Sequence, residues 1–255
     1  MAGERPRRLD LSRPRTYGEL VQSTLQVFGA HANVLLTLAI VLVAPATLVV
    51  DGIWGRALAE GADARPSVVA QGVSAALSVL VILPLVTAST ALAVRGLGEG
   101  IAPGDVGSVL KAGARAYPRV LGAVVLYVVA VLAGFVLFVV PGVWLAVRWY
   151  FAVQAAAIDG LRPPGATRRS GELVRGVWWR TAARLVATGL LVGVTGSIAI
   201  TAIGSSGSGA LFVAGTAVVE SVAMALTAIF ATLLFYDLRA RQGRPASDAP
   251  ETMAG

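Results

Sequence analysis

Two charged side chains fall inside the long apolar stretches of this 255-residue chain, Arg148 and Glu220. A charge in hydrocarbon is costly and is kept where it has a partner, a wet neighbourhood or a task. Arg148 follows the pair Pro141-Gly142 by six residues, which on a helix puts it about 8–9 Å below that turn. Glu220 stands eleven residues into the last apolar run, about 16 Å down by the same rise. The difference is within reach of an arginine side chain, so the spacing predicts an ion pair between the fourth and sixth stretches. Such a pair either locks two helices together or lines a polar cavity for a lipid headgroup or solute. If the two never meet, Arg148 reaches outward to the interface. Gln154 is a weaker polar residue of the fourth stretch, expected to hydrogen-bond a neighbouring helix.

Beyond these, the residue types needed for catalysis are scarce. The chain has no cysteine and one histidine, His31, so thiol chemistry, disulfides and multi-histidine or cysteine metal sites are excluded. His31 falls at the edge of the first apolar run and reads as a polar flank. Asp51, Glu60 and Asp63 are too few for a metal site and read as solvated acids. The glycines Gly96, Gly98 and Gly100 lack the spacing of a dinucleotide fingerprint, and no phosphate-binding G-x-x-x-x-G-K-[ST] occurs. No catalytic, cofactor or metal residue is expected, and the chain is not expected to be an enzyme.

The elements that hold these residues follow from composition. Hydrophobic residues make up 56% of the chain and charged ones 14%, against roughly 25% charged in ordinary soluble domains. A soluble core of this chain length cannot hide that much apolar surface. This argues for lipid as the solvent and against a secreted domain, a disordered region or a nucleic-acid binder, despite the net charge of +7. Six apolar runs approach the length a membrane crossing needs, at about 32–50, 68–94, 120–140, 143–158, 185–203 and 210–236. Of the 21 basic residues, 18 lie before the first run, in the second and fourth connections, and after the last run. By the positive-inside rule both termini face the cytoplasm. Pro141-Gly142 then reads as the tight outer turn between spans three and four, and Gly204–Gly209 as the outer turn between five and six. Residues 1–12 and 239–255 read as disordered, basic or polar ends flanking a membrane domain over 13–238. Pro45 and Pro84 read as kinks whose freed carbonyls neighbouring helices satisfy.

Three cytoplasmic segments resemble one another: Tyr17–Val21 leading through Phe28, Gly107–Leu110 leading through Tyr117, and Gly171–Val174 leading through Trp178 and Trp179. Each precedes an apolar run, which predicts three interfacial amphipathic helices, each followed by a transmembrane hairpin. On the third, Leu173, Val174, Val177 and Trp178 share one side. Arg168, Arg169, Arg175 and Arg180 are candidate contacts for anionic lipid, and the four aromatics are candidate interfacial anchors. Gly189 and Gly193 form a small-residue face that packs within the bundle or against a second copy.

Four pieces taken in order carry a family resemblance. They are Arg13–Glu19, Val140–Trp149, Arg168-Arg169-Ser170 through Gly176 and Trp179, and Tyr236-Asp237-Leu238-Arg239. Together they resemble the glycerophosphoryl diester phosphodiesterase membrane-domain family of bacterial multi-pass proteins, over most of residues 13–241. In some relatives this domain precedes a phosphodiesterase domain. Here the sequence ends soon after the last apolar run, and no catalytic residue carries over. The resemblance implies a stand-alone membrane domain of a bacterial inner membrane, with Arg148 inside a matching motif and Glu220 outside any. The expectation is an all-α, six-span, non-catalytic membrane module that engages lipid, anionic as its arginines imply, or a partner protein. The alternative is a small transporter or lipid carrier with its polar site at Arg148 and Glu220. No cofactor is expected.

Overall fold

A backbone in hydrocarbon must satisfy its own N–H and C=O groups, so apolar runs of this length become helices. The computed structural model is helical throughout, with no strand among the described residues, which are 9–47, 72, 75–205 and 209–243. Its elements are α1 (Tyr17–Ala30), α2 (Ala32–Thr47), α3 (Ala75–Glu99), α4 (Val106–Leu137), α5 (Val139–Arg148), α6 (Ala152–Ile158), α7 (Pro163–Val174), α8 (Trp178–Gly204) and α9 (Gly209–Arg241). Among the described residues, five helical segments are long and apolar enough to cross a membrane, or six when the bent pair α1–α2 is counted as one. This is the architecture of a membrane-embedded, multi-pass protein.

The lower half of α9 is the post around which the rest is built. Ile229, Leu233, Leu234 and Phe235 are each 0% exposed, and α1, α2, α3 and α8 all pack on this helix. By contrast α8 turns Val186, Leu190, Leu191, Val194 and Ile198 outward. Gly189 and Gly193 have open space where a Cβ would stand, so this small-residue face points out of the bundle rather than into it.

Several expected boundaries move, each for a physical reason. Thr16 and Glu19 form a reciprocal capping box that starts α1, and α1 meets α2 at an 87° bend beside His31. The third span has no separate helix before it: α4 runs unbroken for 32 residues through Gly107, Tyr117 and Pro118. The repeat is not a structural one either. Tyr17–Val21 opens α1, whereas Gly171–Val174 closes α7. A left-handed Gly176 (φ 80°) then separates Val174 from Trp178, so the predicted shared face of Leu173, Val174, Val177 and Trp178 does not form on one helix.

The turn between α4 and α5 is a single extended residue, Phe138, not Pro141-Gly142. Pro141 sits in the first turn of α5, where its missing N–H would have had no helical partner anyway. Gly142 packs against Gly134, leaving no room for a Cβ on either.

Residues 9–12 and 239–241, part of the ends expected to be disordered, are packed in the fold; 1–8 and 244–255 lie outside the described residues. Leu11 is 7% exposed, seated over Gly98, and the Leu9 amide donates to the Leu97 carbonyl at 3.3 Å. At the other end α9 continues to Arg241, and Arg239 is 3% exposed.

What orders these ends is a cluster of buried ion pairs, here termed the basic end. The Asp237 carboxylate, 0% exposed, accepts from Arg184 Nη1 at 2.6 Å, Arg241 Nε at 2.9 Å and the Arg15 amide at 2.6 Å. Arg241 Nη2 also donates to the Arg15 carbonyl at 2.7 Å. Nearby, Asp159 accepts from Arg239 at 2.7 Å, and Arg95 donates to the Ile158 carbonyl at 2.9 Å. Removing one member of a buried network strands the others without water. Asp237→Ala is therefore expected to destabilise the fold by about 3–5 kcal/mol, read as a large drop in the thermal midpoint in lipid particles. Glu172→Ala, whose nearer partner Arg168 is exposed and whose second partner Arg169 keeps Asp159, should change it by under about 1 kcal/mol.

Candidate functional site

A cavity of about 670 Å³, open on one side, lies where two helices depart from regular geometry. The first irregularity is a π-helical turn at Ser78–Ile82 within α3. Its cause lies two residues on. Pro84 has no N–H to give to the Leu80 carbonyl, and that carbonyl instead accepts from the Tyr117 hydroxyl at 2.8 Å. The sequence expectation that a neighbouring helix satisfies the freed group is met here, and by a residue expected only as an interfacial anchor.

The second irregularity is the break between α5 and α6 at Trp149–Phe151. A broken helix in an apolar setting must find partners for its backbone, and Ser170 of α7 supplies them. Its hydroxyl donates to the Arg148 carbonyl at 2.8 Å and accepts from the Phe151 amide at 3.1 Å. Ser170 is 0% exposed, so no water could substitute.

Trp149, Tyr150, Val153 and Gln154 at this break face Ser78, Ile82 and Thr87 of α3, Tyr127 of α4, and Glu220, Ala223 and Thr227 of α9 across the cavity. Gln154 is 2% exposed, and its amide oxygen has no hydrogen-bond partner. The expected bond from Gln154 to a neighbouring helix is thus absent at that atom. A buried unpaired acceptor on a cavity wall is an incomplete arrangement that a hydrogen-bond donor would complete.

The structure does not bring Arg148 and Glu220 together. Glu220 lines the cavity, whereas the Arg148 guanidinium stacks over the Trp144 ring at 4.7 Å to its centroid. Arg148 also lies against Gly171, where a Cβ would stand only 3.2 Å from its Nε. No ion pair joins the two among the described residues. The depth estimate failed because the chain turns at Phe138, and the end of α5 is carried to α7 rather than towards α9.

The arginines of the third cytoplasmic segment divide. Arg168, Arg175 and Arg180 are exposed, while Arg169 is turned inward to Asp159 at 3.9 Å and Glu172 at 3.8 Å. Of the aromatics, Trp179 is 81% exposed. The Trp178 indole donates to the Trp144 carbonyl at 3.2 Å, and Phe28 packs against the core. No cluster of acidic, histidine or cysteine side chains able to hold a metal occurs among the described residues. Sequence reasoning missed Ser170, Asp159 and Asp237. Asp237 had a visible signal, an acid set between apolar residues and Arg239.

No protein-family model, curated protein or solved structure matches this chain.

Ser170→Ala should leave two backbone groups unpaired in the interior and cost about 1–3 kcal/mol, checked by thermal or chemical unfolding in lipid particles. In a double-mutant cycle, Arg148→Ala and Glu220→Gln should be additive within about 0.3–0.5 kcal/mol, since the residues do not touch.

Proposed function

We propose that this chain is a non-catalytic, multi-pass membrane module that engages lipid by holding an amphipathic molecule in the intramembrane cavity. The observation that carries this reading is the cavity itself, with its unpaired Gln154 oxygen set among apolar walls. Binding sites for small molecules are concave, mostly apolar and furnished with a few placed polar groups. Val43, Ile82, Leu83, Val124 and Val128 offer an apolar lining, and Gln154, Glu220, Tyr127 and Thr227 offer the polar one. An acyl or other apolar body with a hydrogen-bond-donating group suits that division.

On the same reading the chain is a counterpart of the membrane domain whose motifs it resembles. It sits in the cell membrane with its basic end, and both termini, towards the cytoplasm. Arg168, Arg175 and Arg180 meet anionic headgroups there. One observation favours a carrier as the second reading. The cavity coincides with a π turn and a broken helix, the kinds of irregularity that accompany moving or binding segments in membrane proteins.

Purification in native-lipid particles followed by mass spectrometry tests the proposal. One molecular class should be enriched several-fold over the bulk membrane. Ala223→Phe, which fills the cavity, should abolish that enrichment while the thermal midpoint stays near that of the wild type. A bulk-like profile in the wild-type protein overturns the reading. Release of the enriched molecule into acceptor vesicles by the wild type alone would favour the carrier.

A further inference from the structure

The turn between α4 and α5 is unlike a turn that meets water. Val136, Leu137, Phe138, Val139 and Val140 are 88%, 69%, 76%, 67% and 78% exposed, and none carries a polar side chain. The connection between α8 and α9 (Gly-Ser-Ser-Gly-Ser-Gly), the turn at the far end, is polar throughout.

Helix lengths point the same way. The arms of this hairpin are anchored on α7: Gly122 of α4 packs against Pro163, and Arg148 of α5 lies against Gly171. From Gly122 to Leu137 is about 22 Å of helix, and the ten residues of α5 span about 15 Å. A hydrocarbon core is about 30 Å thick. The second half of α7 belongs to the basic end, since the Glu172 carbonyl accepts from Gln242 at 2.9 Å and Arg169 faces Asp159, and Pro163 stands at most about 13 Å from Glu172 along the helix.

A second ruler agrees. The Trp178 indole, at the start of α8, reaches the Trp144 carbonyl at 3.2 Å. Trp144 is only six residues past the tip at Phe138, about 9 Å, whereas α8 rises about 40 Å from Trp178 to its far end. Even with the reach of the indole added, the tip stands at less than half that height.

Continuing α5 into α6 does not add height. Phe151 packs on Phe235 at 6.4 Å between ring centroids, and Asp159 pairs with Arg239 at 2.7 Å. Eight residues of chain, about 12 Å as helix, thus cover four residues of α9, about 6 Å.

From these lengths we propose that α4 and α5 form a re-entrant hairpin that enters the leaflet on the basic side and returns, its tip at 136–140 embedded among the acyl chains of that leaflet. The third and fourth apolar stretches are then one wedge, not two crossings. The partner of this surface is lipid tail, and Trp144, Trp178 and Trp179 stand nearer the headgroups than the tip. The positive-inside count is unaffected, because a hairpin that returns and a hairpin that crosses twice leave the following arginines on the same side. This inference is independent of what the cavity binds.

The chain has no cysteine, so single-cysteine variants report without background. Val136→Cys and Val140→Cys alter side chains that touch little of the protein, and Ser205→Cys and Arg175→Cys mark the far and basic ends. In sealed, oriented vesicles a membrane-impermeant maleimide should label Ser205→Cys from one side and Arg175→Cys from the other. Val136→Cys and Val140→Cys should be labelled from neither side until the membrane is dissolved. A nitroxide on the two tip cysteines should show high collision with oxygen and low collision with a water-soluble nickel chelate, the pattern of the bilayer interior. Labelling of the tip with the sidedness of Ser205→Cys, or a nitroxide depth at the far headgroups, overturns the proposal in favour of two full spans. Labelling with the sidedness of Arg175→Cys overturns it by placing the tip in water.

Discussion

Every other feature of this molecule leans on one buried carboxylate. Asp237 has no exposure and holds the backbone amide of Arg15, the guanidinium of Arg184 and that of Arg241 at once. It thereby joins the segment before α1, the start of α8 and the end of α9, which are far apart in sequence. A carboxylate so placed is tolerable because three donors replace the water it has lost. Arg15 and Arg241 are then not free surface charges but parts of the fold. The Tyr17 ring, two residues from Arg15, lies edge-on to Phe230 at 6.1 Å, and its hydroxyl is within 3.2 Å of the Thr188 hydroxyl. The same three segments are thus held again, one turn further along α8 and two turns further up α9.

The irregular backbone follows a second rule, that a group freed in an apolar interior is met by a side chain. Tyr117 serves the Leu80 carbonyl that Pro84 leaves open, and Ser170 serves both sides of the break at Trp149–Phe151. Both repairs come from a different helix, so they fix α4 on α3 and α7 on α5 while leaving space between. The cavity occupies that space. Among the described residues that line it, Gln154 carries a buried acceptor with no partner, and that atom is what gives the site its binding reading.

The segment Val140–Trp149 takes on a physical meaning in this setting. It covers the first turn of α5, the Gly134–Gly142 contact, Trp144 and Arg148. Its glycine permits the tight return of the hairpin, and its arginine and tryptophan form the cation–π stack at the base. Each of these serves the geometry of a short apolar hairpin.

Much of this protein was legible from composition and order alone. The helical, membrane-embedded class follows from runs of apolar residues that no soluble core could cover, and the arginine-rich segments group at one end as their placement implies. Pro84 announced a freed carbonyl, and Thr16 with Glu19 announced the start of α1. What the residue order could not decide were distances between elements remote in sequence. Arg148 and Glu220 had matching depths only if the turn lay at Pro141-Gly142 and the fourth stretch ran straight; the turn at Phe138 and the break at Trp149 removed both conditions. Arg239 and Arg241 looked like a polar tail because a cation is hydrophilic unless a carboxylate comes to it, and Asp159 and Asp237 come only when the chain is folded. Side-chain type and local spacing determine which groups need partners. Only the tertiary packing decides which partner arrives, because the desolvation that makes pairing obligatory exists only once the helices have closed around it.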